Sequence, residues 1–218
     1  MPDAPANRRR PGDKTAGRAA RRQTGGRVRL LLAGRVSAIG LASVLAVAAL
    51  GGCGGEEPRS AVSARELEAA LRGAPPALAR LYSRPGQVVD GGTDAFRRQL
   101  EQLHGYPVVV NKWASWCRPC RAEFPLFQRI AAEKGTRVAF FAVDSLDSKD
   151  DARRFLERYP VPYPSYFDPE GRIARLFRGD RVSPTTAFYD RRGRLVLTKQ
   201  GQYRSARALA DDVARYAR

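Results

Sequence analysis

Residues 107–125 read PVVVNKWASWCRPCRAEFP, and this stretch decides the fold. Pro107 to Trp113 is a short, β-rich apolar run, the pattern of a strand buried on both faces. From about Cys117 to Lys134 a helix is expected, with Phe124, Leu126, Phe127, Ile130 and Ala131 facing inward and Pro125 kinking it. Cys117 and Cys120 therefore fall where a buried strand hands over to a helix. In the first turn of a helix the amides lack partners and the dipole presents its positive end. Both favour thiolate over thiol, and the thiolate is the nucleophile. Arg118 and Arg121 add nearby positive charge of the same effect. Pro119 suits a helix start, because its missing N–H would find no partner there anyway. Two intervening residues let Cys120 reach back to Cys117 within the same turn.

Three uses of this cysteine pair compete. A zinc site needs about four ligands, and only Cys53, His104 and acidic side chains remain to supply them. A purely structural disulfide would close too small a loop to stabilise much. A redox-active pair is the reading that its placement at a strand-to-helix junction favours.

Outward from this centre the elements fall into order. Ser63 and Glu66 have capping-box spacing and open a short helix to about Arg72, which Gly73 to Pro76 stops. Thr93 is expected to cap a second helix, Asp94 to Leu103. Arg137 to Val143 (RVAFFAV) is a second buried strand, and Asp144 reads as a turn cap at its end. Ser148 caps a helix to Tyr159, with Asp150 and Asp151 in its first turn. Phe167 closes a short extended piece, and Pro169 to Phe177 form a short helix. Thr185 to Tyr189 and Leu195 to Lys199 make a hairpin in which Gly193 suits positive φ. Ser205 to Arg215 closes the chain as a helix. Strand-helix-strand units give a parallel core and the hairpin adds an antiparallel edge. The class is α/β, a central mixed β-sheet flanked by helices.

The chain has 218 residues and a formal net charge of +17. Of that, +8 sits in residues 1–35 and +9 in residues 53–218. The first segment is rich in Arg, Gly, Ala and Pro without apolar periodicity, the composition of a disordered leader. Val36 to Leu50 is an uncharged apolar run of 15 residues, which fits a signal-peptide core. It is short against the roughly 20 residues of a membrane-spanning helix. A basic run can also bind nucleic acid. Here it directly precedes an export core, where positive charge orients the segment, so no nucleic-acid partner is expected. Arg21-Arg22 lacks the flanking residues of a twin-arginine signal. The remaining excess is read as scattered solvated arginines.

Two resemblances follow. Leu50-Gly51-Gly52-Cys53 resembles the lipobox of bacterial lipoproteins, which implies a lipid on Cys53 after cleavage, with an uncleaved anchor or a plain signal as alternatives. Asn111 to Pro125 resembles the active-site stretch of the thioredoxin superfamily, and within it the membrane-tethered TlpA-like thiol-disulfide reductases. The likeness runs from about Gln87 to the C-terminus and includes Phe167 to Gly171 and Ser183 to Thr186. Thioredoxins proper usually carry Asp where this chain has Asn111, and Lys112 departs from the expected hydrophobic residue. A charge there must snorkel or find a partner.

The resemblance implies a thioredoxin fold at 87–218, behind a signal peptide at 1–52, a tether at 53–63 and a helical extension at 64–86. It implies catalytic roles for Cys117 as the exposed attacking cysteine, Cys120 as the buried resolving one, Glu123 as a nearby acid and Pro184 as a cis-proline. Substrate contact would fall to Trp116, Arg118, Pro119, Ser183 and Thr185. The implied activity is reduction of disulfides in exported proteins, such as cytochrome c apoproteins or metal-site cysteines, with electrons from a membrane thiol donor. The protein is expected outside the cytoplasm as a lipid-anchored monomer without metal or other cofactor. A disulfide-forming oxidase and a copper-binding thiol module are the alternatives. A peroxidase would need a Pro-x-x-x-Thr-x-x-Cys stretch, which is not seen.

Overall fold

Val108 to Trp113 is buried at every position, which a strand achieves only between two other strands with both faces covered. Among the described residues, 62–218 of a computed structural model, it is one of six strands. These are β1 Val88–Val89, β2 Val108–Trp113, β3 Ala139–Ser145, β4 Ser165–Asp168, β5 Thr185–Tyr189 and β6 Leu195–Gln200. They lie in the order β1-β4-β3-β2-β5-β6. The pairs β1–β4, β4–β3 and β3–β2 are parallel, while β5 runs antiparallel to β2 and β6 antiparallel to β5. The helices are α1 Ala64–Ala70, α2 Pro76–Tyr82, α3 Gly92–Gln102, α4 Arg118–Lys134, α5 Lys149–Arg158, α6 Arg172–Leu176 and α7 Ala206–Tyr216. This is the thioredoxin fold, with the mixed sheet between two helical layers.

Side chains alternate across β2 with the period of two that a strand imposes. Val109 and Trp113 face one core with Phe124, Phe127 and Ile130 of α4, Phe155 of α5 and Leu209 of α7. Val108 and Val110 face the other with Leu78 of α2, Phe96 of α3 and Ile173 of α6.

Local sequence explains most boundaries. Ser63 and Glu66 make the reciprocal capping box of α1. Ser148 and Ser205 accept the third-residue amides of α5 and α7. Two expectations need correction. Gly73 to Pro76 does end α1, but Pro76 also opens α2, because a proline at the first helical position loses no hydrogen bond. Thr93 caps nothing. The chain enters α3 through Gly91 at φ 114°, whose carbonyl accepts from Ala95. A Cβ on Gly91 would stand 2.6 Å from that of Ala95.

The expected leader, its apolar core at 36–50, the lipobox with Cys53 and nearly all of the tether lie outside the described residues.

Candidate active site

β2 ends at Trp113, and four residues later Cys117 caps α4. Cys117 and Cys120 are joined as a disulfide, and Cys117 Sγ accepts the Cys120 N–H at 3.2 Å. A sulfur in that position faces the positive end of a helix of 17 residues. Neither cysteine is openly exposed. Cys117 is 3% accessible and Cys120 0%, so the sequence-based picture of an exposed attacking sulfur is too generous for the oxidised form. The reason is packing: both cysteines belong to the same apolar cluster as Trp113 and Phe124.

The loop before Cys117 is cross-braced. Ser115 Oγ–H donates to Asp147 at 2.9 Å, and Ser115 N–H donates to the same carboxylate. Arg121 Nε and Nη2 donate to the Ser115 carbonyl at 3.0 and 2.9 Å. Trp116 is exposed and its indole N–H donates to the Leu146 carbonyl at 2.9 Å. Arg118 and Pro119 are also exposed.

The expected cis-proline segment leads into β5, beside the end of β2. Lys112 pairs with Thr185 across the sheet, so Pro184 stands level with Trp113. The Ser183–Pro184 peptide bond is cis. Lys112 does find partners: its ammonium donates to the Val182 carbonyl at 3.0 Å and to Ser183 Oγ at 2.7 Å. Burial pushes its pKa below the usual lysine value, with Asp168 and Asp180 working the other way. Thr185 is fully buried and its hydroxyl donates to the same Val182 carbonyl, so its side chain has no surface to offer a substrate. Ser183 is half-buried and Pro184 buried.

Below the disulfide lies Glu123, 0% exposed, one turn past Cys120. Oε1 accepts from Asn111 Nδ2 at 2.8 Å and Oε2 from the Tyr203 N–H at 3.0 Å. Burial pushes its pKa up to about 7, against the lowering effect of those two donors and Lys199. His104 is not part of this assembly, because it lies against the hairpin turn at Gly193.

Asp144 is the residue that sequence reasoning misread. It does not cap a turn, because β3 continues to Ser145 and Asp144 sits inside it, level with Trp113. It is fully buried and neither carboxylate oxygen has a hydrogen-bond partner. Burial foremost, then the Asp147 and Asp168 carboxylates, pushes its pKa up to about 9. A charged residue ending an otherwise apolar strand run was the available signal. The folded protein thus holds a proton that the unfolded chain releases near pH 3.8. Stability falls as pH rises from there to about 9 and levels off above. The advantage of Asp144→Asn, which cannot ionise, over wild type is expected to grow by up to about 1.4 kcal/mol per pH unit between pH 4 and pH 8. The gap narrows toward pH 4. Urea unfolding across that range checks it, and a gap independent of pH contradicts it.

A cleft of about 420 Å³ opens beside the loop, lined by Ser115, Trp116, Arg121, Asp147 and Arg154 among others. A larger groove of about 920 Å³ between α1–α2 and the end of α5 contains neither cysteine.

Residues 90–201 match the AhpC/TSA family. The thiol-disulfide oxidoreductase ResA of Oceanobacillus iheyensis is 33% identical over 106 residues, 47% of this chain and 54% of that protein. The thiol:disulfide interchange protein DsbE of Allochromatium vinosum is 39% identical over 92 residues, 42% of this chain and 49% of that one. The chain thus spans about half the length of the curated relatives it matches. Among solved structures, MTB dsbF in its mixed oxidized and reduced forms aligns with 53% of this chain and 84% of its own, at 31% identity and a TM-score of 0.49. With the match spanning half of its length, the chain belongs to the AhpC/TSA family.

Proposed function

We propose that the protein is a thiol-disulfide oxidoreductase that reduces disulfides of exported proteins. The observation that carries this is the Cys117–Cys120 pair, with Cys117 as the N-cap of α4.

In the reduced protein the Cys117 thiolate attacks one sulfur of a substrate disulfide. That S–S bond breaks, the other substrate sulfur leaves as thiolate and takes a proton, and a mixed disulfide remains. Cys120 then loses its proton and attacks Cys117 Sγ. The mixed disulfide breaks, the second substrate thiol is released, and two electrons have passed from the protein to the substrate. We assign the Cys120 proton to Glu123, which is buried one turn along the same helix with its pKa pushed up to about 7. The cis-proline segment, held by Lys112, offers backbone to an extended substrate. Cytochrome c apoproteins or metal-site cysteines are the proposed substrates. A membrane thiol donor would return the electrons, and the protein would be a monomer held at the outer face of the membrane by a lipid on Cys53.

One observation favours the opposite direction. Arg118 adjoins Cys117 in sequence and Arg121 is anchored on the Ser115 carbonyl, and positive charge near Cys117 favours its thiolate, which stabilises the reduced form and makes the pair more oxidising. The equilibrium of the purified protein with glutathione decides between the two readings. A reductase is expected near the thioredoxin value of about −270 mV, and a potential near −120 mV assigns an oxidase instead.

A further inference from the structure

Among the described residues Lys112 is the one lysine or arginine that is fully buried, 1% exposed. It lies within β2, on the face that Val108 and Val110 fill with apolar side chains. Both hydrogen-bond partners of its ammonium are neutral, the Val182 carbonyl and Ser183 Oγ. The Asp168 carboxylate, whose charge reaches Lys112, is bonded elsewhere. It accepts from the Ile173 and Ala174 amides at 3.0 Å each and from the Ser145 hydroxyl at 3.2 Å. An ion buried in this way contributes little to stability, and an apolar side chain of similar volume commonly does as well or better. Holding the fold together therefore does not account for it.

What the ammonium does hold is one short stretch of chain. The Val182 carbonyl accepts from Lys112 at 3.0 Å and from the Thr185 hydroxyl at 2.7 Å, so it is gripped from β2 and β5 together. The bond to Ser183 Oγ, 2.7 Å long, has only one possible sense. An ammonium has donors and no lone pair, so the serine oxygen accepts and its own proton is left for a third group. Ser183 is half-buried, and that group can approach from solvent.

We propose that Lys112 is a positioning residue for protein substrates: it fixes the backbone of Val182 and Ser183 and leaves the Ser183 hydroxyl proton for a carbonyl of the substrate chain. A chain docking on a segment already held in place loses less freedom than one that must order it. A small disulfide without a peptide backbone makes no use of that segment. The inference rests on the oxidoreductase reading and deepens it.

The test compares insulin with the small aromatic disulfide dithiobis-nitrobenzoate. Lys112→Met keeps the apolar stem and removes the ammonium. The Val182 carbonyl retains Thr185 and Ser183 Oγ is open to water, so Tm is expected unchanged or higher. The reduced variant is expected to react with dithiobis-nitrobenzoate at the wild-type rate, while kcat/KM for insulin falls about tenfold through KM. Ser183→Ala is expected to show part of that loss, and the double variant no more than Lys112→Met alone, because the two side chains act on one contact. Unchanged insulin kinetics in either single variant, a loss carried by kcat alone, equal losses on both disulfides, or additive losses in the double variant overturns the positioning role. A wild-type protein that reacts with neither disulfide overturns the oxidoreductase reading itself.

Discussion

Cys117→Ser reduces insulin disulfides no faster than the uncatalysed background, while Cys120→Ser accumulates as a covalent adduct with its substrate. Both outcomes follow from the division of labour at the start of α4. Cys117 occupies the cap position, where the Cys120 amide donates to its sulfur and the helix dipole favours the thiolate. A serine hydroxyl there cannot form or exchange an S–S bond. Cys120, 0% exposed, is sealed from a bulky partner by the core that surrounds it, so its role is the second attack on Cys117. Without it the first exchange proceeds and the mixed disulfide has no internal route to resolve. Turbidity of insulin under dithiothreitol reads the first variant, and a non-reducing gel with mass measurement reads the second. Residual turnover by Cys117→Ser would remove the cysteine pair from the mechanism.

The second large effect is on stability. Trp113→Ala is expected to cost about 3–5 kcal/mol. Trp113 is 0% exposed at the end of β2, with its ring centroid 5.1 Å from Phe124 and 4.7 Å from Phe155. Its indole N–H donates to the buried Ser165 hydroxyl at 2.9 Å, and that partner would be left unsatisfied. For a domain of this size the loss corresponds to roughly 6–20 °C in Tm. Trp113→Phe keeps one aromatic ring but loses the hydrogen bond and part of the volume, so its cost should be smaller, about 1–3 kcal/mol. Denaturant melts of the two variants check the ranking. Equal costs would mean that ring volume matters less than the Ser165 bond.

Local patterns made the centre of the fold legible. The apolar run of β2, the helical spacing of α4 and the cysteines between them sit within 28 residues, and each feature is encoded by its immediate neighbours. The same holds for the serine caps of α1, α5 and α7. What escaped depended on distant neighbours or on reading a signal one way only. Pro75-Pro76 was legible as a stop but also serves as a start. β1 is two residues long and exists by pairing with β4. The partners of Lys112 lie 70 and 71 residues along the chain, so sequence could demand a partner but not name one. Asp144 could be seen to end an apolar run, but its isolation from every donor is a property of the packed interior.

Lys112 has a further use. It is buried, whereas Lys134, Lys149 and Lys199 are half-buried. An acylating reagent would therefore label it only when the segment ahead of Pro184 lifts away from the sheet. The rate at which mass spectrometry sees that adduct appear would serve as a built-in clock for the breathing of the docking face, with no dye or probe attached.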